Sequence, residues 1–178
     1  MFSRILVAVD GTATSNRGLA AAVGLAKEQG ATLYILNVFD ELVIAPMIGE
    51  GAMGSAQAIG SIVEGLRKAG RKIAADAEKT ASKSVPTVRA EAIDSRGQSV
   101  ASAILRYAKR VRADVIVLGT HGRRGLSRLV MGSDAEAVVR EATVPVLLVR
   151  SPERKASRAP GSAGVSRGAR GAPPRPRS

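Results

Sequence analysis

Chemistry is most concentrated between Gly119 and Ser133, where glycines, basic residues and hydroxyls follow a short strand-like run, Asp114 to Leu118, and precede a helical pattern that opens at Ser133. Glycine permits φ > 0 and lets N–H groups approach an anion with no Cβ in the way. The unpaired amides of a helix start add partial positive charge. A strand, a glycine-rich turn and a helix start therefore predict a phosphate-binding loop. Its expected donors are the backbone amides from Gly122 to Arg124 and from Gly132 to Asp134 and the Ser133 hydroxyl, with Arg123 or Arg124 adding charge from the rim. The spacing is Gly119, two residues, Gly122, nine residues, then Gly132 and Ser133, which is neither the Walker loop nor the dinucleotide fingerprint. Ser133 also stands three residues before Glu136, so the same segment reads as a capping box that needs no ligand. Asp10, which closes the first apolar run, is the expected acceptor for ribose hydroxyls, or else the cap of the turn behind it. The single histidine, His121, reads as loop packing or a peripheral phosphate contact.

These residues must be carried by a scaffold, and the hydrophobic periodicity describes one. Arg4 to Asp10 is a continuous apolar strand, as expected for a parallel strand buried on both faces. A helix follows, capped by Ser15 or Asn16, with Leu19, Ala22, Val23 and Ala26 on its apolar face and Gly30 ending it. Thr32 to Val38 is the second strand, so the first forty residues form a βαβ unit. Residues 40 to 56 read as a mobile loop broken by Pro46. A long helix is predicted from Gln57 to Lys83, with Ile59, Ile62, Val63, Leu66, Ile73 and Ala77 inward and Arg67, Lys68, Arg71 and Lys72 mostly solvated. Thr87 to Ile93 alternates polar and apolar, which fits a strand at a sheet edge. Gln98 to Arg112 is a helix with Tyr107 in its core stripe, Ser133 to Glu141 another, and Pro145 to Val149 the last strand. Five strands with intervening helices predict an α/β fold, an open doubly wound five-stranded parallel sheet with helices on both faces.

The pattern G-x2-G-x9-G-[ST] from Gly119 to Ser133 resembles the nucleotide motif of the universal stress protein family, and the likeness runs from Ile5 to about Val149. The resemblance implies strand order 3-2-1-4-5, with the reversal between the strands that end at Asp10 and Gly119. Doubly wound sheets bind ligands in such a place. It further implies ATP as the nucleotide, with backbone near Ala8 and Val38 framing the adenine, and a homodimer formed through the last strand, Val146 to Val149. That strand would be a sheet edge, and an exposed apolar edge is either covered or paired. Asp134 departs from many members, which carry an uncharged residue there. A carboxylate beside a triphosphate costs Coulomb energy unless Mg2+ lies between them.

Composition narrows the alternatives. The net charge of +12 divides evenly: residues 151–178 hold seven Lys or Arg against Glu153, and residues 1–150 hold 20 basic against 14 acidic groups. The expected organisation is one nucleotide-binding domain, 1–150, and a disordered basic Arg/Pro/Ser/Gly tail, 151–178, whose weak attachment to nucleic acid or another polyanion is a secondary reading. With no cysteine there is no disulfide framework or thiolate chemistry. No run approaches the roughly 18 apolar residues of a membrane span, so a cytoplasmic protein with no membrane attachment is expected. Two Phe, two Tyr and no Trp leave little for aromatic base stacking or a flavin site. With no general base spaced for in-line attack, binding is expected to be the main event, with slow ATP hydrolysis at most. The rival is a dimeric interaction module that binds no nucleotide and acts through its basic tail.

Overall fold

A computed structural model of the chain describes residues 1–41, 56–120 and 132–150. Residues 42–55 of the loop expected at 40–56 and the tail at 151–178 lie outside the described residues. The elements run β1 (Arg4–Ala8), α1 (Ala13–Gln29), β2 (Thr32–Phe39), α2 (Ala56–Ala81), β3 (Val88–Asp94), α3 (Val100–Val111), β4 (Val115–Gly119), α4 (Ser133–Glu141) and β5 (Val146–Val149). The strands form one sheet in the order β3-β2-β1-β4-β5, and every neighbouring pair is parallel. This is the predicted doubly wound sheet.

Alternation along the strands sorts the core into two layers. Ile5, Val7 and Val9 of the first strand region face α1 and α2 with Leu33, Ile35, Val115 and Val117, whereas Leu6, Leu36, Ile116 and Leu118 face α3 and α4. Ile5, Leu6, Leu33, Ile35, Leu36 and Ile116 are wholly buried, each contributing about 1.5–3 kcal/mol of transfer free energy. Tyr107 lies in the second layer, as its position in the helical stripe predicts. The Arg110 guanidinium, held by Glu91, covers its ring at 4.4 Å.

Two helices differ from expectation in instructive ways. The cap of α1 is Thr12, not Ser15 or Asn16: its backbone is extended and its side chain accepts from the Ser15 N–H, so the helix starts three residues earlier. Among the described side chains of α2 the buried positions are Gly70, Ala74, Ala77 and Ala81, while Ile62 is 47% exposed and Ile59, Val63 and Leu66 are only partly covered. A helix of 26 residues is about 39 Å long. A strand of eight spans about 26 Å. The first half of α2 cannot lie over the sheet, and small residues make its contact. Arg67, expected on a solvated face, instead pairs with Glu41 at 2.6 Å and ties α2 to the end of β2.

At the amino ends of the strands a single carboxylate joins β1 to β4. Asp114 Oδ2 accepts from the N–H groups of Ser3 at 2.8 Å and Arg4 at 2.7 Å. Burial pushes this carboxyl up, but those two donors, with the Arg4 guanidinium and the amino terminus behind them, outweigh burial and hold it below its ordinary value. A group whose folded pKa is depressed contributes fully above the unfolded pKa and loses its contribution as pH falls through the folded one. Asp114→Ala is therefore expected to cost about 1–2 kcal/mol at neutral pH. In urea unfolding the gap to the parent should narrow once the pH drops below about 4. A gap that does not change with pH would mean the charge on Asp114 is irrelevant.

Candidate functional site

The order reverses between β1 and β4, and of the candidate residues that are described, Ala8, Asp10, Val38 and Gly119 stand at or just past the carboxyl ends of β1, β2 and β4, and Gly132, Ser133 and Asp134 at the start of α4. Ala8 and Val38 are partly buried on the layer that faces α3 and α4.

Asp10 stands just past β1, and its surroundings make a closed turn. Its Oδ1 accepts from the Thr12 N–H at 2.9 Å and from the Thr12 hydroxyl at 2.7 Å, while its own N–H donates to Ser15 Oγ at 3.3 Å. The Ser15 hydroxyl donates in turn to the Thr12 carbonyl at 3.0 Å. Gly11 has φ +82°, a left-handed backbone that side chains rarely adopt, so the turn favours glycine at this position. The turn cap expected for Asp10 is present: the carboxylate caps the turn through Oδ1, at the end of β1 beside the reversal point. An Asp-x-Thr pattern is the sequence signal for such a turn; Thr12 was the residue missed, and Ser15, expected as a helix cap, instead bonds within the turn.

On the opposite wall, Gly119 ends β4 beneath the first turn of α1. A Cβ there would lie 3.0 Å from Thr14 Cγ2 and 3.1 Å from the Thr14 backbone, so close helix packing accounts for this glycine even without a ligand. The buried Thr120 donates its N–H to the Val149 carbonyl at 3.0 Å and accepts from the Gly132 N–H at 2.9 Å. The start of α4 is thus fastened to the end of β4. Gly132 is the N-cap of α4, with extended backbone and no side-chain cap hydrogen bond. The capping-box expectation for Ser133 is corrected, because Ser133 is already the first helical residue. Gly132 also differs from its expected part, since its amide is spent on Thr120. The amides of Ser133, Asp134 and Ala135 precede the first bond of the helix, Glu136 N–H to the Gly132 carbonyl. Ser133 and Asp134 are exposed. Asp134 and Glu136 lie in the first turn, where acidic groups complement the helix dipole. Gly122 and Arg123, with His121 and Arg124, lie outside the described residues.

A model described as the universal stress protein family matches residues 1–150. The chain belongs to the universal stress protein family. Universal stress protein YxiE of Bacillus subtilis is 40% identical over 152 residues, covering 84% of this chain and 100% of that one. Among solved structures, a universal stress family protein from Burkholderia pseudomallei superposes with a TM-score of 0.64 at 29% identity, covering 83% of this chain and 95% of its own. Two further structures share the fold: a universal stress protein in complex with cAMP, with TM-score 0.60 and 20% identity, and the Archaeoglobus fulgidus universal stress protein in complex with dAMP, with TM-score 0.55 and 22% identity. Each covers 83% of this chain and 97% of its own.

A groove of about 610 Å³ lies between α3 and the segment joining α4 to β5, lined by none of the candidate residues at the ends of β1 and β4. Arg106, Lys109 and Arg112 line it opposite Glu141. It has none of the glycine or carboxylate features of the β1–β4 crevice. Among the described residues no helix is long and apolar enough to cross a membrane.

Gly119→Ala is expected to lower stability by about 1–2 kcal/mol, because α1 must move off β4 to admit the methyl group. Chemical unfolding measures this, with Gly60→Ala as a control, since nothing lies within 4 Å of that position. Equal effects of the two substitutions would show that the approach of Thr14 to β4 is not constrained.

Proposed function

We propose that this chain is an adenine-nucleotide-binding regulatory protein of the stress response, with ATP as its nucleotide, acting by binding and homodimerisation and hydrolysing ATP slowly at most. The observation that carries this reading is the pairing of two polar devices across the reversal point: the Asp10 turn at the end of β1, and the amino end of α4 fastened to β4 through Thr120 and Gly132. The two nucleotide complexes of like fold support the adenylate class.

The donor set fits such a ligand. Asp10 would accept from the ribose hydroxyls, Ala8 and Val38 would border the base, and the amides of Ser133 and Asp134 with the Ser133 hydroxyl would meet phosphate. Gly122 and Arg123 enter through the motif spacing alone. Asp134 would repel a bare triphosphate, so Mg2+ between the two is expected to strengthen binding. Calorimetric titration should give saturable 1:1 binding of ATP, tighter with Mg2+ present and lost in Gly122→Val. Asp10→Ala should weaken it about tenfold, the worth of one good hydrogen bond to a charged acceptor. Absence of binding at millimolar ATP would favour the rival reading, an interaction module whose tail attaches to nucleic acid or another polyanion.

The dimer reading is supported by the position of β5 at the sheet edge and by Leu147, 41% exposed on that edge. Antiparallel pairing of Val146–Val149 in two copies would satisfy the edge and cover Leu147. The register in which Ile116 donates to Pro145 and Thr120 to Val149 turns the Leu147 N–H toward β4, so Leu147→Pro breaks the ladder that holds the edge strand in place and is expected to yield monomers or insoluble protein. An unchanged dimer by light scattering would move the interface elsewhere.

A further inference from the structure

Asn37 is wholly buried in β2, on the face where its strand neighbours are Leu33 and Ile35. Its Nδ2 donates to the Val9 carbonyl at 2.8 Å, and among the described residues its Oδ1 has no hydrogen-bond partner. That oxygen faces Gly70 of α2, where a Cβ would stand only 2.7 Å away. Leaving an amide oxygen buried and unmet is costly, and a leucine of similar size would avoid it. The position therefore calls for a reason other than packing.

The ladder between β1 and β2 supplies one. It runs as far as the Val9 N–H, which donates to the Leu36 carbonyl at 2.8 Å. The next rung would bring the Val38 N–H to the Val9 carbonyl, but Asn37 takes that carbonyl instead. The other side of the same peptide unit, the Asp10 N–H, goes to Ser15 Oγ at 3.3 Å. One peptide group, at the point where the chain leaves the sheet, is thus gripped from both sides by side chains of two different elements. The residue it introduces is Asp10.

We propose that Asn37 is a positioning residue for the adenine-nucleotide site: by ending the β1–β2 ladder and holding the Val9–Asp10 peptide, it aims the Asp10 carboxylate at the ribose. Asn37 itself touches no ligand atom, and the proposal rests on the nucleotide-binding reading above.

The test is a mutant cycle on the full chain, read by calorimetric titration with ATP and Mg2+, with the fold of each variant checked by circular dichroism. Asn37→Ser and Ser15→Ala should each weaken ATP binding about tenfold, and neither should weaken it further when Asp10→Ala is already present. Ser15→Ala releases the same peptide from the other side and carries the test if Asn37→Ser does not fold. Losses that simply add to that of Asp10→Ala would overturn the proposal, since Asn37 would then act on the pocket by another route. Full ATP binding by Asp10→Ala would overturn it too while sparing the nucleotide reading. Failure of the parent chain to bind ATP would remove both.

Discussion

Parallel pairing of β1 with β4 is the constraint on which this molecule depends. β1 also pairs with β2 on its other edge, so the connections leaving β1 and β4 must turn to opposite faces of the sheet. Neither α1 nor α4 then crosses the gap between the two strand ends, and a crevice results from topology alone. The sheet can maintain it because the strands are apolar on both faces and buried in two layers.

Around the crevice the two walls are built by different means. The β1 wall is a chain of side-chain hydrogen bonds running from Asn37 through the Val9–Asp10 peptide to Ser15 and Thr12. The β4 wall depends on missing side chains and backbone bonds, with Gly119 admitting Thr14 and Gly132 bonding Thr120. Both depart from the surrounding apolar packing. The unmet Asn37 oxygen, the positive φ of Gly11 and the methyl-free contact at Gly119 cluster within a few residues of the same strand ends. Local departures from good packing tend to collect at functional sites, where the remainder of the core offsets them.

Much of this was legible beforehand because it repeats. Five apolar runs at strand length, separated by helical periodicity, leave few alternatives to a doubly wound sheet, and Tyr107 could be assigned to the core from its place in a stripe. The misreadings came where one residue serves two elements. Thr12 caps α1 because its hydroxyl meets both Asp10 and Ser15, whereas propensity alone favours any nearby Ser or Asn equally. Ile62 fits the helical stripe perfectly well, yet it is exposed, because α2 is longer than the strands it covers.

From its order of residues alone, the chain determined its elements and its parallel class, since period and turn chemistry are local properties. Only the tertiary structure decided which donors and acceptors were already engaged. Gly132 gives its amide to Thr120, Asn37 takes the Val9 carbonyl, and Gly119 yields its space to Thr14. Such commitments join residues from 12 to 105 positions apart, and no local pattern encodes a partner at that distance; it is selected when the sheet and helices close around one core.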